Sequence, residues 1–185
     1  MNLLTDALPC SVEIEGRYYS VATDFRDWIR FFDMTEDENL SAKEKYLTAM
    51  KWFTETPPKD IERAFKALSD FSLCKALPRC GKKTEGQSSE KPCLSWKYDA
   101  PFIIGAFRQV YGIDLLKCKM HWYEFFALFM ALPDDTPVKY RMAMRQVNPA
   151  DIKDNGRRSE IRRIQRAIAI PCGEMSAFEL GEAFM

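Results

Sequence analysis

The sequence predicts a mostly α fold. A single helical domain holds an apolar central helix at about 119–132, surrounded by amphipathic helices and preceded by a short β-hairpin at about 11–21. Three observations predict it. Lys119–Leu132 places Trp122, Phe125, Phe126, Phe129 and Leu132 at steps of three and four, the spacing of one broad helical face. The opposite side carries Tyr123, Ala127, Met130 and Ala131, also mostly apolar, so other helices have to enclose it. Several flanking segments show a single apolar stripe each, whereas residues 11–21 alternate as a strand pair does.

The elements follow in order. Val12 and Ile14 alternate with Ser11 and Glu13, Glu15-Gly16 supplies a turn, and Tyr19 and Val21 alternate on the return. A lone hairpin is marginal, so it is expected to lie against the helices. Thr23 or Asp24 caps a helix with Phe25, Trp28, Ile29 and Phe32 on one face, ending in the acidic loop Thr35–Asn39. Ser41 and Glu44 form a capping-box pattern for a helix presenting Tyr46, Leu47, Met50 and Phe53. Pro57-Pro58 stops that helix and opens the next, with Ile61, Phe65, Leu68 and Phe71 as its stripe.

A polar stretch at about 78–96, rich in Gly, Ser and Lys, is expected to be a mobile loop. Phe102–Tyr111 forms the next helix, stopped by Gly112, and close packing against a neighbouring helix would account for Gly105 inside it. Thr136-Pro137 starts a further helix and Asn148-Pro149 a short one. The last helix, Arg157–Ile170, turns Ile161, Ile164 and Ile168 inward and Arg158, Arg162, Arg163 and Arg166 outward; Pro171 ends it. Residues 1–171 are expected to form the one domain, and 172–185 a tail whose Phe178, Leu180 and Phe184 can dock on a partner or on the domain.

Composition narrows the function. A chain of 185 residues with 46% hydrophobic and 29% charged residues is an ordinary globular protein. Its longest apolar run, Phe125–Leu132, is far too short for a membrane span, and the N-terminus lacks a signal peptide's pattern, so a cytoplasmic protein without membrane partners is expected. Overall charge balances, 27 basic against 27 acidic, yet residues 1–58 hold 11 acids and 6 bases (6 − 11 = −5), and residues 139–170 hold 9 bases and 3 acids (9 − 3 = +6). Two solvated surfaces account for this, as does docking of the acidic half on the basic half of a neighbour.

Residue chemistry offers no enzyme and no cofactor site. Gly81-Lys82-Lys83-Thr84 lacks the glycine that a phosphate loop needs five residues earlier, where Ala76 stands. The six cysteines contain no closely spaced pair, so Cys74, Cys80, Cys93 and His121 do not read as a zinc site. In a cytosolic chain they are expected to be reduced, several as small core residues. His121 has no nucleophile or orienting acid in its flank and reads as a hydrogen-bonded structural residue. Asp134-Asp135 fits a solvated turn before a helix.

One resemblance carries a functional expectation. DFRDWIRF at Asp24–Phe31, the hairpin VEIEGRYYSV, RCGK at Arg79–Lys82, DAPFIIGAFRQVYGIDL and MHWYEFFALFMALPDDTPV resemble a bacteriophage protein family named after a fifteenth phage gene product. The likeness is collinear from about residue 9 to 170 and omits 83–96 and the tail. Its members come from the tail-assembly gene cluster of long-tailed phages and prophages of Gram-positive bacteria. The resemblance implies a tail-assembly chaperone in the cytoplasm of the bacterial host. Its partner would be the helical tape-measure protein, with another tail-assembly chaperone, a tail-tube protein or a second copy as further partners.

Helix-in-groove binding would use aromatic residues, with Trp28, Phe32, Trp52, Phe53 and Trp122 as candidates. The alternative is a protein that binds nucleic acid or a host factor through Arg158, Arg162, Arg163 and Arg166, or a minor structural tail component. Against nucleic acid as the main partner, no basic groove with interleaved aromatics is present.

Overall fold

A computed structural model describes residues 1–77 and 92–171. Most of the expected polar loop and all of the tail, with Cys80, Gly81–Thr84, Phe178, Leu180 and Phe184, lie outside the described residues. Seven α-helices and one two-stranded antiparallel sheet are found among the described residues. Residues 1–77 and 107–132 form one compact unit, and residues 92–106 and 133–171 a second.

The first unit opens with the hairpin. Strands β1 (Ser11–Ile14) and β2 (Arg17–Ser20) pair with Ile14 opposite Arg17. Glu15 and Gly16 between them both have positive φ, 53° and 75°, as a two-residue hairpin turn matched to strand twist requires. Val12 and Ile14 are buried, as the alternation predicts.

Helix α1 (Phe25–Glu36) is capped by Asp24, whose carboxylate accepts from the Arg26 N–H at 2.9 Å. Its buried stripe is Phe25, Trp28, Phe31 and Met34; Ile29 and Phe32, expected inward, are half-exposed. The ring geometry explains the rotated face. Phe25 stacks on Phe125 at 4.7 Å and Trp28 on Phe71 at 4.6 Å, and the Trp28 indole N–H donates to Ala22 O.

Helix α2 (Ala42–Ala49) has the full capping box between Ser41 and Glu44, then tightens into a 3-10 turn at Met50–Trp52. Leu47, expected in the core, is 49% exposed, because only about two turns pack and it falls on their outer side. Helix α3 (Ile61–Ser72) starts later than Pro57-Pro58 predicts, since Asp60 supplies the cap. It buries Ala64, Leu68 and Phe71, leaving Ile61 and Phe65 half-buried, and packs against β1 and α2.

The central helix is shorter than its apolar pattern. Helix α5 covers Trp122–Met130 because His121 holds the extended cap conformation. The starts of α1 and α5 are laced together: the Phe25 N–H donates to Met120 O, and the Trp122 N–H to Thr23 O at 2.7 Å. Trp122, Tyr123, Phe125 and Phe129 are buried, and Phe125 also stacks on Phe107 at 5.1 Å. The opposite side is enclosed only in part: Tyr123 is buried and Ala127 half-buried, whereas Met130 is 57% exposed and Ala131 also faces solvent.

Helix α4 (Ala100–Tyr111) ends at Gly112, whose positive φ of 70° turns the chain while its N–H returns to Arg108 O. A Cβ on Gly105 would meet no atom of the described residues within 4 Å, so close packing among them does not explain this glycine.

In the second unit, helix α6 (Pro137–Gln146) follows Thr136 as predicted, and a 3-10 turn at Pro149–Asp151 follows Asn148. Helix α7 (Asn155–Ala167) is capped by Asp154 and stops three residues short of Ile170. Ile161 and Ile168 are buried and Ile164 half-buried. Arg158, expected outward, is half-buried because its guanidinium donates to Ile152 O.

Candidate partner-binding surfaces

An open groove of about 580 Å³ runs between β1 and the outer side of α3. Ala67, Phe71, Pro9 and Tyr123 contribute its apolar lining, and Ser11–Glu15 supply one wall. That wall is a strand edge. Ile14 and Arg17 flank the two-residue turn as a bonded pair, Val12 and Tyr19 form the next one, and the Val21 N–H donates to Cys10 O. Ser11 and Glu13 therefore direct their N–H and C=O groups away from β2, and these have no backbone partner among the described residues outside the strands. The rim is charge-balanced: Arg63 pairs with Glu15 and Asp60, and Lys75 with Asp70.

The five aromatic residues expected to line a groove lie elsewhere. Trp28 and Trp122 are wholly buried, and the Trp122 indole N–H donates to Ser72 O at 2.9 Å. Phe53 is buried beside the Tyr19 ring. Trp52 is half-buried with its indole N–H on Asp27 O at 2.8 Å, and Phe32 is half-buried at 5.9 Å from the Trp122 ring. They hold the first unit together, and none of them lines the β1–α3 groove. The groove was hard to read from sequence because small and charged residues at steps of three and four on α3 look like an ordinary solvated face.

His121 is committed to structure. The Tyr123 N–H donates to Nδ1 at 3.1 Å, so the ring proton sits on Nε2, which donates to Pro9 O at 3.0 Å. Burial pushes its pKa below the usual imidazole value, outweighing the Pro9 hydrogen bond and the nearby Glu124 charge. Both ring nitrogens are thus engaged in bonds that hold the start of α5 and Pro9.

Two groups of arginines stand apart in the second unit. Arg141 and Arg145 on α6 converge on Asp99, which is fully buried. Arg145 donates to both Asp99 oxygens, at 2.5 and 2.8 Å, and Arg141 to one at 3.1 Å while lying over the Phe102 ring. Arg145 also donates to Cys93 O and Ile168 O, joining three segments of the second unit. Burial alone would raise the Asp99 pKa, but the Arg145 bonds, the Ser95 N–H and Arg141 together hold it below the usual carboxylate range. In the sequence, Arg141 and Arg145 merge into the net charge of residues 139–170, and only their i, i+4 spacing among methionines sets them apart. Arg162, Arg163 and Arg166 form the second group and are exposed.

Among the described residues, no set of three or more His, Cys, Asp or Glu side chains could hold a metal. Of the cysteines, Cys74 is buried as a small core residue, and Cys10 is exposed.

These features define a mostly α protein headed by a two-stranded hairpin, and no described helix is long and apolar enough to cross a membrane. The chain belongs to the family described as Bacteriophage Gp15 protein, whose family model matches residues 4–170. No curated protein and no solved structure matches it.

Proposed function

We propose that this phage protein is a non-enzymatic tail-assembly chaperone. It acts in the cytoplasm of the bacterial host and binds a helical tape-measure protein before tail-tube subunits polymerise around it. Family membership supports the phage setting. The observation that carries the binding reading is the open β1–α3 groove, with its apolar lining and neutralised rim. Along α3 the lining runs from Arg63 to Phe71, about 12 Å of helix axis at ~1.5 Å per residue. That length matches about two turns of a partner helix, a small footprint suited to many weak, reversible contacts. A second tail-assembly chaperone or a tail-tube protein would enter by the same surface.

Co-purification of the full chain with the tape-measure protein of its own gene cluster tests the reading, with nuclease present and at two salt concentrations. An apolar groove predicts a complex that survives high salt. The exposed Arg162, Arg163 and Arg166 favour a second reading, in which nucleic acid or a host factor binds α7. That predicts steep loss of binding with salt, since each neutralised phosphate releases counterions. A structural tail component, by contrast, would be found in purified virions.

A further inference from the structure

We infer that the exposed arginine face of α7 docks on the acidic end of α1 in a second copy of this chain, so that copies associate head to tail. The rotation of α7 is fixed from within. Ile161 and Ile168 are buried, and the Gln165 amide donates to Met144 O and Val147 O at 2.9 and 2.6 Å. Arg162, Arg163 and Arg166 are thereby held on the outside, and among the described residues none of them has a carboxylate partner.

The complementary charge lies at the other end of the chain. Helix α1 ends at Glu36, with Asp37 as its cap residue, Glu38 beyond and no base in its last turn. Acids at a helix C-terminus face the negative end of the helix dipole, so this end is electrostatically uncomfortable alone. Burial, and then the neighbouring Asp33, push the Glu36 pKa up. None of these three acids pairs with a base among the described residues.

Charge complementarity selects a second copy as the occupant. Residues 1–58 carry −5 and residues 139–170 carry +6, of which Asp99 neutralises one (+6 − 1 = +5). Each chain then offers one face of either sign, and different patches meet at the contact. Such a heterologous contact builds rings or open chains. Because Glu36, Glu38 and the three arginines are exposed, with Asp37 half-buried between the two acids, the contact is screened by salt and tightens where copies are concentrated.

Sedimentation of the full chain, nuclease-treated, at about 0.05 M and about 0.5 M salt tests this. At low salt the average mass should rise above the 21.5 kDa monomer with concentration, and at high salt it should return to it. R162E/R163E/R166E and, separately, E36K/D37K/E38K should each lower the association constant at least about tenfold. Mixing the two variants should restore association, because each then carries the charge that the other lacks. Should the reversed α7 lose helix, R162Q/R163Q/R166Q takes its place, with the same loss expected. A chain monomeric at low salt, association indifferent to both reversals, or assemblies held only by nucleic acid would each overturn the inference.

Discussion

His121 shows how one side chain can be read correctly from sequence in kind and still surprise in detail. Its place at the edge of an aromatic run indicated a structural role, and the ring indeed caps α5 and holds Pro9. The long-range bond to Pro9, 112 residues away, left no trace in local pattern. The linkage follows from the depressed pKa. A neutral ring stabilises the fold fully above the free value of 6.5, and that contribution is lost as pH falls through the lower folded value. Stability measured by denaturant unfolding should therefore fall as the pH drops below 6.5. His121→Asn, which keeps a side-chain cap, should flatten that slope. Gly105 offers a second test at this scale. It sits in α4 with open space around its absent Cβ, so Gly105→Ala should raise stability by about 0.5–1 kcal/mol in a melting experiment.

At the scale of elements, what was legible was what local chemistry decides. The Ser41–Glu44 box, the Glu15-Gly16 turn, Thr136-Pro137 and the stop at Gly112 each involve neighbouring residues and stand where their residues placed them. The face that a helix buries is settled by its neighbours instead. In α1, Phe31 and Met34 displaced Ile29 and Phe32 because the stacking partners Phe71 and Phe125 lie on that side. The central helix was overestimated for a related reason: an all-round apolar pattern does not show which side neighbours leave open.

Asp99 makes the same point for charge, since its two arginine partners lie 42 and 46 residues away. Removing it would leave both guanidinium groups without their buried counter-charge. Asp99→Ala should cost about 3–5 kcal/mol and melt the second unit, a loss visible in far-UV circular dichroism. Its depressed pKa places the matching acid sensitivity below the usual carboxylate value of 3.8, apart from the His121 window.

For the whole molecule, family and fold class were readable because they rest on long collinear patterns, whereas the binding surface was not. Of the large aromatic residues expected to line a groove, Trp28, Phe53 and Trp122 fill the core, and Phe32 and Trp52 pack half-buried at its edge. The groove sets Ala67, a strand edge and paired charges, residue types that sequence alone assigns to solvent, around the edges of the core residues Phe71 and Tyr123. The measurement that tests the central claim most directly is co-purification of the tape-measure protein at high salt by the native chain and by Ala67→Glu. Glu is a good helix former and position 67 is only half-buried, so the variant should keep its fold while placing a charge in the apolar lining. We expect the native chain to retain its partner and Ala67→Glu to lose binding at least about tenfold, roughly 1.4 kcal/mol or more. Equal retention by a folded Ala67→Glu chain would contradict the groove, and no retention by the native chain at any salt would contradict the chaperone reading itself.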